Sequence, residues 1–228
     1  MTSASGSRPD VATIAPSPGA PVVGTRRLLA GGLAAGPVFA GVVAAQTFTR
    51  AGFDLTRHPL SLLALGPWGW IQTLNFLVTG LLLIGLGAGL RRALPPGRGA
   101  TWGPILLALH GVGLLIAGTF GSDPALGFPP GTPDGANGPL SWHAVLHGVG
   151  FFVAFTCLAA ACVVLARRFL GTREPGWAGY SVGTAIGALG LAAWPSMDGA
   201  SIRYALAGVV AWSWTTALAA RLLAGTRT

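Results

Sequence analysis

The chain has 228 residues, 52% of them hydrophobic and 9% charged, with a formal net charge of +8. A soluble domain carries about a quarter charged residues, so this chain lacks the polar groups to cover a water-facing surface, and lipid is the environment that fits. The 14 basic residues are all Arg and lie between apolar runs rather than on one face of a soluble domain, which excludes nucleic acid as a partner.

Residues 1–25 are rich in Ser, Pro, Gly and Ala without periodicity, and predict a disordered tail. Arg26 and Arg27 then introduce the first apolar run, residues 28–46. Such a pair before an apolar stretch also fits a secretory signal; an internal repeat described below favours a retained helix. Further runs fall at residues 70–90, 102–120, 142–166, 178–194 and 202–223. Each approaches the roughly 20 residues that cross hydrocarbon, the fifth being short. In lipid every backbone polar group needs an internal partner, so the runs predict helices. The expected fold is an all-α polytopic bundle of about six transmembrane spans, a domain over residues 26–223, with a short tail at 224–228.

Arg placement orients it. Arg8, Arg26, Arg27, Arg91, Arg92, Arg98, Arg167, Arg168, Arg173, Arg221 and Arg227 fall on one side, and Arg50, Arg57 and Arg203 on the other. The positive-inside rule puts the first group and both termini in the cytoplasm, and Trp68, Trp70, Trp142 and Trp194 at the outer interface. The expected location is a cell membrane.

A weak repeat has an offset of 72 residues. It aligns Gly66-Pro67, Trp70 and Leu74-Asn75 with Gly138-Pro139, Trp142 and Leu146-His147, and Gly41 with Gly113. It makes span one the counterpart of span three, and puts Asn75 and His147 on equivalent positions that would line one central cavity. Gly179, Gly183 and Gly187, four residues apart, predict a close-packing helix face. Cys157 and Cys162 read as buried apolar residues.

The candidate outer polar cluster is Asp54, His58, Ser61, Asn75, His110, Asp123, His143, His147 and Arg203. His143 and His147 share a helix face at i, i+4, the spacing at which two imidazoles bind one metal, with Asp123 as a third ligand. A structural role for these histidines fits the spacing equally well. Ser61 is expected to cap the helical segment after it. The loop over residues 121–141, rich in Gly and Pro, is a candidate lid. Arg203, close to hydrocarbon, predicts an ion pair with Asp198, Asp123 or Asp54.

Several segments carry a family likeness: Gly52-Phe53-Asp54, His58-Pro59-Leu60-Ser61, Leu63-Ala64-Leu65-Gly66, Gly69-Trp70-Ile71-Gln72 and Asn75-Phe76, then Asp123-Pro124, Gly127-Phe128-Pro129 and the stretch from His147 to Phe151. Over roughly residues 28–220 the chain resembles the bacterial membrane family called domain of unknown function 998. The resemblance implies a six-span bundle in a bacterial plasma membrane and marks the outer loops as the signature region; it supplies no activity. In residue types alone, His143, His147, Asp123 and Ser61 are also similar to the zinc set of seven-span hydrolases of the alkaline-ceramidase and progestin-receptor type, from which this chain departs in span number and in the side its site would face.

Three function classes follow. The first, favoured, is a non-enzymatic membrane component with an outward-facing polar cluster, needing no cofactor. The second is a metal-dependent hydrolase acting on lipid at the outer leaflet, with zinc lowering the pKa of bound water. The third is a small transporter or lipid-handling protein. The expected partner is the bilayer, with a second copy or another membrane protein open.

Overall fold

The structure, a computed structural model, describes residues 21–135, 138–196 and 198–225. The predicted tails fall largely outside these residues, with Arg8 and Arg227. The described part of the first tail, residues 21–25, is already helical, as are residues 224 and 225. Six α-helices are described: α1 Pro21–Thr49, α2 Gly69–Ala93, α3 Trp102–Thr119, α4 Trp142–Gly171, α5 Pro175–Ala192 and α6 Ala200–Gly225. A short 3-10 helix, Leu60–Ala64, lies between α1 and α2. No strand occurs among the described residues.

Five of the helices, all but α5, are long and apolar enough to cross a membrane. In α5, the Gly, Ser, Thr and Tyr residues dilute the apolar ones. Its direction is nevertheless fixed by its neighbours. The Ser201 hydroxyl, at the start of α6, donates to the Arg57 carbonyl at 2.7 Å. The chain that leaves α4 at the opposite end must therefore return along α5 before α6 begins. The protein is a six-helix membrane bundle with two unlike ends: a long-loop end holding residues 50–68 and 121–141, and an arginine-rich end.

Each helix packs on its neighbours in sequence, and α6 closes the ring on α1. Lipid offers no hydrophobic drive between helices, so close backbone approach decides the contacts. It occurs along α2, α3 and α4. A Cβ at Gly111 would lie 2.5 Å from the Gly80 carbonyl oxygen, one at Gly87 2.7 Å from that of Pro104, and one at Gly113 2.7 Å from that of Gly150. The face expected to pack closely does not: Gly179 and Gly183 meet open space, and Gly187 touches only Val210 at 3.7 Å. The spacing was right for a helix face, but α5 turns that face outward. Gly41 and Gly113, equivalent under the repeat, also differ, since Gly41 has open space where Gly113 has another backbone.

The interior divides in two. The arginine-rich half packs around fully buried Leu29, Leu83, Leu86, Leu107, Leu158 and Trp214, with a pocket of about 340 Å³ between α2, α4 and α6 at its end. The Trp214 indole N–H donates to Ser181 Oγ at 3.0 Å, joining α6 to α5. Arg168 donates to the carbonyls of Arg98 (3.0 Å) and Pro95 (3.1 Å). Arg221 pairs with Glu174 at 2.5 Å and lies over the Phe169 and Trp177 rings. The long-loop half is hollow. At 1.5 Å per residue, the 30 residues of α4 reach about 45 Å and the 18 of α5 about 27 Å. Because α5 starts straight after α4, it can flank only about the last two-thirds of that helix, and the first turns of α4 face α6 without it.

Candidate functional site

The two long loops lock together over the hollow half. Arg50, just past α1, donates to the carbonyls of Leu63 (3.2 Å) and Leu65, satisfying the end of the 3-10 helix. Asp54 Oδ1 accepts from the Thr56 backbone N–H at 2.8 Å and hydroxyl at 2.7 Å. His58 is 2% exposed. Its Nδ1 accepts the Asp54 backbone N–H at 2.9 Å, so the proton sits on Nε2, which donates to the Leu126 carbonyl at 2.8 Å. Leu126 holds a positive φ of 58°, a conformation that L-residues with a bulky side chain rarely adopt. Phe128, 1% exposed, packs its ring 5.4 Å from His58 and 5.4 Å from Phe53. Arg57 and Asp134 close the rim with an exposed ion pair at 3.1 Å.

At the far side of the second loop, Asp123 Oδ2 accepts the Ser141 backbone N–H at 2.7 Å, and Ser141 Oγ caps α4 through the Ala144 N–H at 3.2 Å. Ser141, by its hydroxyl and its N–H, holds the Asp123 carboxyl below its ordinary range. Thr56 does the same for Asp54.

Beneath the lid lies a cavity of about 250 Å³ between α1, α2, α3, α4 and α6. Its walls are mostly apolar and aromatic: Phe39, Phe76, Leu114, Phe151, Phe155 and Trp212. Pro59, Leu60 and Ser61 form its roof. The second loop, expected as a lid, does not line the cavity; it buttresses the first loop, which does. The polar groups on the cavity are Ser61, His110, His147 and Tyr204, together with the indole of Trp212. His110 Nδ1 bonds the Ala154 carbonyl at 2.9 Å, and its Nε2 is buried without a partner. His147 Nδ1 bonds the carbonyls of Ala117 (2.8 Å) and Phe120 (3.0 Å).

The candidate cluster thus separates into parts. Asp54, His58, Asp123 and Arg203 belong to loop and helix-end scaffolding; Ser61, His110 and His147 face the cavity. Asn75, expected to line it, instead donates to the Phe39 carbonyl (3.2 Å) and to Gln72 Oε1 (3.3 Å). There it joins Gln46, whose Nε2 donates to Gln72 Oε1 at 2.8 Å. Its neighbour Phe76 takes the cavity position. Ser61 is not a helix cap; Pro59 occupies that position, and Ser61 lies within the 3-10 helix. Arg203 forms no ion pair with Asp198, Asp123 or Asp54. Its guanidinium donates to the backbone carbonyls of Ser196 and Asp198, closing the α5–α6 turn.

His143 is exposed and lies against Trp142, 3.6 Å between ring centroids. The described residues contain no group of three or more His, Cys, Asp or Glu side chains placed to hold one metal ion. Both cysteines are free thiols. The sequence reading missed Gln46 and Gln72, although two amides inside apolar runs were a usable signal. It also missed the aromatic walls, which nothing distinguishes from other apolar residues of a span.

A family model described as "Protein of unknown function (DUF998)" matches residues 33–221. The chain belongs to the DUF998 family. The match takes in α2 to α5 whole, most of α1 and α6, both loops and the cavity. No curated protein and no solved structure matches the chain.

Proposed function

We propose that this DUF998 protein is a non-enzymatic membrane component that binds an apolar molecule drawn from the bilayer. In this reading the arginine-rich end is cytoplasmic and the hollow half lies in the outer leaflet. The observation that carries it is the cavity itself, a largely apolar space of about 250 Å³ roofed by structured loops. Ligand sites are concave and mostly apolar, with a few polar groups that fix orientation, and this one has that composition. The loop network supports the non-enzymatic reading. His58 spends both ring nitrogens on backbone groups, and the Asp54 and Asp123 carboxylates are engaged by Thr56 and Ser141. Of the groups a hydrolase would use as base or ligands, His58, Asp54 and Asp123 are thereby committed to holding the lid.

The test is to purify the protein in mild detergent, extract it with organic solvent and quantify the apolar molecules released per chain. A Cβ at Gly208 would meet only the Trp212 ring, at 3.7 Å, so Gly208→Phe fills the cavity from an open position. The expected result is close to one molecule per wild-type chain and a clear loss in Gly208→Phe at an unchanged melting temperature. Equal contents in both proteins would overturn the reading.

A further inference from the structure

The cavity has a side as well as a roof. Where α5 falls short, α4 and α6 approach each other without extensive packing. Gly148 on α4 is exposed, and a Cβ there would meet nothing within 4 Å. Gly208 lines the same cavity from α6, with only Trp212 nearby. One aromatic contact spans the gap, Phe151 to Tyr204 at 5.2 Å between ring centroids. Gly148 both lines the cavity and is exposed, which puts one edge of the cavity at the lipid-facing surface of the bundle.

The chemistry of the cavity is asymmetric. A carbonyl oxygen only accepts, so His110 Nδ1, bonded to the Ala154 carbonyl, carries the ring proton. Its Nε2 then holds a lone pair, and that atom is buried without a partner in a residue that lines the cavity. His147 also lines the cavity, with its Nδ1 donating to two carbonyls. A buried acceptor without a donor is costly. The molecule that relieves this cost must bring an O–H or N–H group. An acceptor-only group, an ether or a carboxylate, meets lone pair with lone pair.

We infer that the ligand is a single-chain lipid alcohol, which enters between α4 and α6, donates its hydroxyl proton to His110 Nε2, and leaves the rest of its chain in the bilayer. This rests on the binding function proposed above. The volume agrees: 250 Å³ lies below the roughly 300–1,000 Å³ of sites that engulf a ligand whole, and suits a polar end with the first part of one chain.

The experiment compares 1-hexadecanol with hexadecyl methyl ether, which keeps the chain and the oxygen but has no O–H. Each is titrated into delipidated full-length protein by native mass spectrometry, for wild type, His110→Phe and Gly148→Phe. The expected result is that hexadecanol binds wild type on the order of fivefold more tightly than the ether, the worth of one hydrogen bond. That ratio falls toward one in His110→Phe, while Gly148→Phe weakens both ligands alike. Equal binding of the two ligands to wild type overturns the inference and leaves the apolar binding function standing. Binding of neither overturns both. Should a His→Phe variant fail to fold, the wild-type ratio and Gly148→Phe still decide.

Discussion

His58 shows how one side chain ties the two loops. It is buried, its Nδ1 takes the Asp54 N–H, and its Nε2–H reaches Leu126 across 68 residues of sequence. Removing it breaks two part-buried hydrogen bonds, to the Asp54 N–H and the Leu126 carbonyl, and empties the space of a buried ring, so His58→Ala should cost about 1–3 kcal/mol and lower the melting temperature, whereas His143→Ala, at an exposed ring, should leave it unchanged. Differential scanning fluorimetry in detergent reads both. Arg203 makes a sharper case. Its partners are main-chain carbonyls, so Arg203→Ala should destabilise by about 1–3 kcal/mol while Asp198→Asn should not. An equal loss from Asp198→Asn would restore the ion pair. Acid acts on the carboxylates. Asp54 and Asp123 are held below their ordinary 3.8. Their contribution is therefore complete above that value and fades as pH falls through the lowered folded value. Asp54 is exposed and Asp123 lies at the surface, half-buried, so the effect is small. Hydrogen exchange over residues 121–141 should rise below about pH 4, and Asp123→Asn should show the faster exchange already at neutral pH.

At the scale of elements, the sequence made the helices legible and their mutual faces less so. Long apolar runs in lipid admit only one backbone solution, which is why all six spans could be read as runs, the fifth being short. A four-residue glycine spacing says that a face is smooth, not what it meets. Gly179, Gly183 and Gly187 looked like a packing seam, yet the seams are at Gly80 with Gly111 and at Gly113 with Gly150. The contrast is testable. Gly111→Ala places a Cβ 2.5 Å from a carbonyl oxygen, forces α2 and α3 apart, and should cost about 1–3 kcal/mol. Gly183→Ala meets nothing and should be neutral within about 0.5 kcal/mol. Thermal unfolding of the two variants side by side decides. The site was legible in a similar way. His110 and His147 stood out as polar residues in or near spans, and both reach the cavity. Asn75 stood out equally but turned one face away to meet Gln72, because a residue's depth in a span does not fix the helix rotation.

For the molecule as a whole, the bare first turns of α4 come from one difference in length. A fifth helix matching α4 would cover Gly148. At 18 residues against 30 it leaves that stretch of α4 open near the loop end. The loops, meanwhile, spend their polar groups on each other and so form a rigid roof over an apolar space. No composition or motif count could have shown this, since it depends on where α5 stops relative to α4. The most direct test is to irradiate the protein in lipid nanodiscs with a hexadecanol carrying a diazirine next to its hydroxyl, and to map the adducts by peptide mass spectrometry. The account predicts adducts concentrated at His110, His147, Phe151 and Trp212 and suppressed by excess 1-hexadecanol. Adducts confined to outward-facing residues such as Ile186 and Val209, with none in the cavity, would contradict it.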